Sequence, residues 1–335
     1  KRSRVKDAYN ALTLHLTSPR GDDKMTLTAR VYDDAVALRY TTDLASPHTL
    51  QEATDIRFAH DYEAWYYNGE RHNIGPERLS KTDGTRWPVM TVRADGCFMA
   101  IHEADLGEVC PMELRSKAGS TVFDITGDAY EATTRHESAW RVIMCADNEG
   151  GLIDSHTIEL LNPEPVSDYS WVKPGMCLWD WRINGAVWED FHYDMSYPSW
   201  VRMVDFAARN GMQHIVLDAN WYGPEFEKGS DPVKGEKAND VKRLISYARQ
   251  KGVGIWLYLN EVGGLNYPIE ETLKQYEAWG ASGVKYGFME GTKMEKQRKT
   301  LNITALCAKH HLMVDFHDYP VHPFGQMRAW PNAVT

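Results

Sequence analysis

The segment GIWLYLNEVGG, from Gly254 to Gly264, carries an apolar strand-like run onto a single carboxylate, Glu261, and then breaks into glycines. A glutamate at a strand end can serve as a general base on water or as a nucleophile. Glycines at 263 and 264 let the backbone turn sharply or approach a ligand closely. A second carboxylate, Asp218, follows HIVL and precedes ANWYG. It either caps the next segment by accepting backbone N–H bonds, or accepts from a ligand hydroxyl with Trp221 or Tyr222 beside it as a stacking face. The run GVKYGFME ends its strand on Gly287, which either permits close packing or leaves room for something else, such as water. Glu290 beyond it fits a helix start facing the macrodipole. HLMVDFHDYPVHPFG carries His317, Asp318 and His322, and alternation puts Asp315 and His317 on one strand face. The HDY segment either holds a sugar hydroxyl or orients a carboxylate, or His317 is structural and donates to a backbone carbonyl.

Metal chemistry has little support in the spacing. Pro320 and Pro323 break any helix that would align His317 with His322, so a zinc-type pair on one helical face is excluded. Glu103 and Asp105, in AIHEADL, are hard oxygen donors of the kind that bind Ca²⁺, or else a solvated edge. Five cysteines, at 97, 110, 145, 177 and 307, show neither CxxC nor Cys/His ligand spacing. Phosphate-cradling loops, serine-nucleophile elbows and dinucleotide fingerprints are missing.

The elements that position these residues follow two periods. From Tyr9 to about Leu161, short alternating stretches such as MTLTARVYDD, AVALRYTTDL, GCFMAIHEADL and WRVIMCADNEGGLIDS are bounded by Asp, Gly and Asn. Period two with such turns predicts antiparallel β structure, most simply a sandwich over residues 1–165. NPEPVSDYSWVKPG interrupts the pattern. After it CLWDW, HIVLD, GIWLYL, GVKYGF and HLMVDF alternate with helical stretches around Tyr197–Asn210, Lys237–Lys251, Ile269–Trp279 and Thr292–Lys309. Strands alternating with helices mean βα units and a parallel sheet over residues 166–335. Strand lengths put Asp218, Glu261, Gly287 and His317 at carboxyl ends, where a (β/α)₈ barrel does its chemistry. A whole barrel takes roughly 250 residues, and about 160 remain from Gly175. The expectation is a barrel cut after about five units, with an open doubly wound sheet as the alternative.

The chain of 335 residues has a formal net charge of −10, which argues against a nucleic-acid or anionic-membrane partner. No run approaches a transmembrane span. Twelve Trp and 17 Tyr supply rings for a core and for flat, hydroxyl-rich ligands alike.

The order of YNAL, RVYDDAVALRY, AIHEADL, WRVIMCADNEGGLIDS, DYSWVKPG, WDWR, GVKYGF and AKHHLMVDFHDYPVHPFGQMRAWPNAVT resembles glycoside hydrolase family 97 over nearly the whole chain. The resemblance implies an N-terminal β-supersandwich and a (β/α)₈ catalytic barrel. It implies α-glucoside or α-galactoside oligosaccharide substrates, one Ca²⁺ near the active site, and a periplasmic or secreted location. Retaining members carry an Asp nucleophile at the end of the fourth strand, where this sequence has Gly287. Inverting α-glucosidases lack it and use glutamates, of which Glu261 resembles one. By the same resemblance Glu103 is a calcium ligand and His317 binds substrate; Asp218, Trp221 and Asp318, at or near strand ends, are the further substrate-binding candidates. The family's general acid and second base would lie beyond Thr335. The leading expectation is therefore an internal piece of an inverting α-glucosidase with Glu261 as base. A retaining α-galactosidase and a non-catalytic carbohydrate-binding paralogue are the alternatives.

Overall fold

The change of sequence period near Asn162 coincides with a change of architecture in the computed structural model, which describes residues 4–264, 267–317 and 323–334. The chain divides into two units. One comprises Lys1–Glu164, Thr292–Arg298 and Val321–Ala329; the other comprises Pro165–Gly291, Lys299–Pro320 and Trp330–Thr335.

In the first unit the alternating stretches become antiparallel strands. Lys24–Val31 pairs with Asn10–Thr17 on one side and Ala35–Asp43 on the other. Gly84–Ala94 and Cys97–Ala104 form a hairpin closed at Ala94↔Cys97. Its turn is Asp95-Gly96, where Gly96 takes φ +79, the positive φ that Asp-Gly hairpin turns need. Instead of two separate sheets of a sandwich, 12 strands hydrogen-bond into one antiparallel sheet, and Tyr130–Ala132 pairs separately with His48–Leu50. The junction is the long strand Gly84–Ala94. Its beginning pairs with Glu113–Ser116, and its end pairs with Cys97–Ala104 and Glu63–Tyr67. A strand that changes partners along its length turns a corner. Cys97–Ala104 is consequently covered on both faces: Met99 and Ile101 pack into one apolar cluster, Ala100 and Ala104 into another.

In the second unit five parallel strands lie side by side in chain order: β1 (Cys177–Trp179), β2 (His214–Leu217), β3 (Gly254–Asn260), β4 (Gly283–Gly287) and β5 (Met313–Phe316). Helices α1 (Tyr197–Arg209), α2 (Ala238–Gln250), α3 (Ile269–Trp279) and α4 (Lys293–Lys309) connect them. Gly211 and Gly252 close α1 and α2 with φ +67 and +75, as left-handed closing residues do. One face of the sheet, including Ile215, Leu217, Leu257 and Val284, packs on Trp200, Leu244, Ile245 and Leu273 of the helices. The opposite face presents Val216, Trp256 and Met313, with Trp179 against them. This second set shares its parity with Asp218, Lys285, Asp315 and His317, so the residues with chemical potential lie on the face turned away from the helices. Among the described residues no helix is long and apolar enough to cross a membrane.

Candidate active site

Register brings the polar groups together. Lys285 of β4 stands opposite Tyr258 of β3 and Asp315 of β5. Asp218 follows β2 directly, and its Oδ2 lies 2.5 Å from Lys285 Nζ. The same oxygen accepts the indole N–H of Trp179, and Oδ1 accepts the backbone N–H of Ala219 at 2.7 Å. The Lys285 ammonium also lies 4.3 Å from the Trp179 ring centroid and 5.4 Å from that of Tyr258. Lys285 is 8% exposed and Asp218 4%, so each charge depends on the other.

Two further carboxyls border this pair. Asp180, directly after β1, accepts from Trp200 Nε1 at 2.9 Å and from the Asp218 backbone N–H at 2.8 Å. Burial pushes its pKa up to about 7, with the Asp218 charge adding to the rise. Asp315 is pushed up to about 6, again chiefly by burial; Lys285 and His317 oppose the rise and Asp218 adds to it. The site therefore holds two carboxyls that can be protonated near neutrality, beside a third that is ion-paired with a lysine.

Of these residues Trp179, Lys285 and Asp315 line a cavity of about 640 Å³, together with Trp256 and His317 among others, while Asp180 and Asp218 lie behind its wall. Indole faces with a few converging donors and acceptors suit a polyhydroxylated ligand.

The sequence-predicted residues divide sharply. Asp218 joins the cluster through Lys285, and His317 lines the cavity. Trp221 is fully buried, packs on Tyr222, Tyr276 and Trp279, and donates its Nε1 proton to the Tyr258 carbonyl at 2.7 Å. It offers no stacking face, contrary to expectation, because its whole ring is needed to fill the core. Asp318 and His322 lie outside the described residues.

Glu261 also departs from expectation. It starts the helical turn Glu261–Gly264 directly after Asn260, so strand alternation no longer sets the direction of its side chain. Its Oε2 accepts from Lys299 Nζ at 2.7 Å and from the Glu290 N–H at 2.8 Å, and it is not among the residues lining the cavity. The space expected for water at Gly287 is taken as well. A β-carbon there would lie 2.9 Å from the His317 Cβ.

Glu103, the expected calcium ligand, lies in the first unit. Its side chain is 0% exposed and forms an ion pair with Arg141, which is itself paired with Glu52. Oε2 also accepts the Met112 N–H at 3.1 Å. Among the described residues no three His, Cys, Asp or Glu gather to hold a metal. As placed, the Glu103 carboxylate is engaged by Arg141 and by the Met112 N–H.

Sequence reasoning passed over Lys285, Asp180 and Trp179, and it left Asp315 without a role. A signal existed for Lys285: it shares its face with Gly283 and Gly287 inside an otherwise apolar, fully buried strand, where an unpaired lysine is untenable. Asp180 in CLWDW had the same mark, a carboxylate flanked by tryptophans.

The sequence profile "Glycoside hydrolase 97" matches residues 178–335, and "Glycosyl-hydrolase 97 N-terminal" matches residues 1–164. A "Probable retaining alpha-galactosidase" of Streptomyces bingchenggensis is 29% identical over 334 residues, covering 94% of this chain and 50% of the relative. A "Retaining alpha-galactosidase" of Bacteroides thetaiotaomicron is 25% identical, covering 99% of this chain and 56% of the relative. The chain thus spans about half the length of these curated relatives. Among solved structures, a glycoside hydrolase family 97 enzyme from Pseudoalteromonas sp. strain K8 in complex with acarbose shares the fold, with a TM-score of 0.81 and 22% identity over 98% of this chain and 57% of that one. A β-arabinopyranosidase does so with a TM-score of 0.76 and 21% identity, over the same shares of the two chains. The curated relatives overturn the expectation of an inverting α-glucosidase, since both are named as retaining enzymes acting on galactosides.

Proposed function

Because this chain belongs to glycoside hydrolase family 97, we propose that it contributes part of the active site of a retaining glycosidase that removes terminal α-linked galactose from oligosaccharides. The observation that carries the reading is the pair of retaining α-galactosidases matched over almost the entire chain. The cavity agrees with it chemically. Lys285, held by Asp218 behind it, and Asp315 offer polar partners for sugar hydroxyls, and Trp179 and Trp256 offer flat faces. In this reading His317 binds substrate, as does Asp318, and Asp218 acts through Lys285.

Retention requires a carboxylate nucleophile about 5–5.5 Å from the acid/base carboxyl. Gly287 supplies none, so the nucleophile is another carboxylate of the cavity. Asp315 is the candidate on this chain, being partly exposed and facing the space beside Lys285. A periplasmic or secreted location, implied by the resemblance, is part of the same proposal.

The test is hydrolysis of an aryl α-galactoside by the full-length protein, followed by proton NMR. The reading expects α-galactose as the first-formed anomer, and a slow-turnover fluorogalactoside should label one cavity carboxylate. First formation of the β-anomer would overturn retention. Gly287, together with a Glu261 carboxylate committed to Lys299, favours one second reading, a paralogue that binds α-galactosides without cleaving them. Saturable binding with no turnover would select it.

A further inference from the structure

The loop between β2 and α2 carries a further carboxylate to the carboxyl end of β3. Glu225 Oε2 accepts from the Tyr258 hydroxyl at 2.8 Å and from Asn260 Nδ2 at 3.4 Å. Asn260 Nδ2 also donates to the Tyr258 hydroxyl at 3.0 Å, and the Glu225 N–H donates to Asn220 Oδ1 at 3.1 Å. Tyr258 and Asn260 share the parity of Trp256, which lines the cavity. One oxygen of Glu225 is therefore anchored on the cavity face of β3. The other, Oε1, makes no hydrogen bond among the described residues, and the side chain is partly exposed. Its lone pairs are left for a ligand donor.

The next residue begins a row of rings. Phe226, 56% exposed, meets Phe288 edge to face with centroids 5.1 Å apart. Phe288, 39% exposed, lies 5.6 Å from the His317 ring, and His317 lines the cavity. The row thus leads from the cavity wall into solvent. Phe288 directly follows β4 with φ +49, a left-handed conformation that costs a bulky residue energy and that collects at ligand sites. Two adjoining exposed phenylalanines do little for the core, and apolar surface beside a cavity marks a place where something binds. All of these residues belong to the second unit.

We propose that Glu225, Phe226 and Phe288 form a second sugar subsite, which takes the ring on the leaving-group side of the scissile bond while the cavity beside Lys285 takes the terminal galactose. A pyranose has an apolar C–H face, which suits the phenylalanine rings, and a hydroxyl edge that can donate to Glu225 Oε1. The terminal ring fills the enclosed cavity, so the next one meets the surface that continues from its wall. The subsite rests on the galactosidase reading for the identity of its neighbour, and it deepens that reading by naming the substrate class: oligosaccharides in which a second pyranose follows the galactose, in preference to galactosides of small alcohols.

The experiment is calorimetry of the full-length protein with two sulfur-linked probes that resist turnover, methyl thio-α-galactoside and the α-thio-linked galactosyl-glucose disaccharide. The readout is the quotient of their dissociation constants. The disaccharide is expected to bind about tenfold tighter, and Phe226→Ala and Glu225→Gln should each cut that advantage at least about threefold. A role in folding alone would move both probes together and leave the quotient unchanged. A disaccharide with no advantage, or an advantage that survives either substitution, overturns the proposal. The same two probes with glucose as terminal sugar separate the subsite from the galactosidase reading. If only the glucosides bind and their quotient responds as described, the subsite stands and the galactose reading falls; if galactosides bind without the advantage, the reverse holds; if neither series binds, both are overturned.

Discussion

Two buried clusters of this molecule, one in each unit, have the same charge arithmetic: one cation between two carboxylates. In the first unit Arg141 joins Glu52 to Glu103. In the second, Lys285 pairs with Asp218 and stands opposite Asp315. The difference lies in what is left over. Arg141 Nε reaches both Glu52 oxygens at 2.9 and 3.0 Å, and the Met112 N–H occupies Glu103 as well. Burial disfavours the guanidinium charge, yet Glu52 and Glu103 outweigh it and raise the Arg141 pKa. A planar fork with its acceptors engaged is a structural clasp. Lys285 is a point charge, and Asp315 beside it faces a cavity with its pKa up at about 6. Chemistry is possible where a charged cluster is incomplete.

The largest expected effect breaks the closed cluster. Arg141→Met leaves two buried carboxylates facing each other, and the loss should be about 3–5 kcal/mol in urea unfolding of the chain, as for removing one partner of a buried pair. The matching change in the open cluster, Lys285→Met, should cost less, about 1–3 kcal/mol. There Asp218 keeps its bonds from Trp179 and Ala219, and the cavity admits water. Its main effect should be on galactoside binding, weakened at least tenfold by calorimetry; equal stability losses at Arg141 and Lys285 would erase the contrast.

The pH response sharpens the comparison. Asp180 and Asp315 have native pKa values near 7 and 6 against an ordinary 3.8. Between those values the native state binds more protons than the unfolded one. Their stabilising contribution is therefore complete below about pH 3.8 and is lost as pH rises through about 7. Asp180→Asn should flatten this decline in urea midpoints between pH 4 and 8. The smallest effect belongs to Glu261→Gln. With Lys299 37% exposed, the pair stabilises by about 0–1 kcal/mol, and no change in galactoside affinity is expected.

Much of the frame was legible from residues alone. Period two marked the strands of the first unit, and βα alternation gave the five parallel strands and their order, because sequential βα units lie side by side. Helix α3 coincides with the expected Ile269–Trp279. The corner in Gly84–Ala94 was not legible, since exchanging partners along one strand leaves no mark on its period. At the site, placing residues at strand ends found Asp218 and His317 but misjudged Glu261. The strand ends at Asn260, and the helical turn that follows carries the Glu261 carboxylate to Lys299. Trp221 misled because a tryptophan beside a strand end reads alike whether it faces a ligand or the core. Gly287 is compatible in sequence with close packing or with open space, and the structure shows the packing, with His317 against it.

The central claim is that the open cluster of the second unit is the sugar site. Its most direct test follows the indole N–H resonances of Trp179 and Trp221 by ¹⁵N NMR while the full-length protein is titrated with methyl α-galactoside. The account predicts a saturable shift at Trp179, whose N–H is bonded to Asp218, and a stationary signal at the core residue Trp221. A ligand that binds while leaving Trp179 unmoved would contradict it.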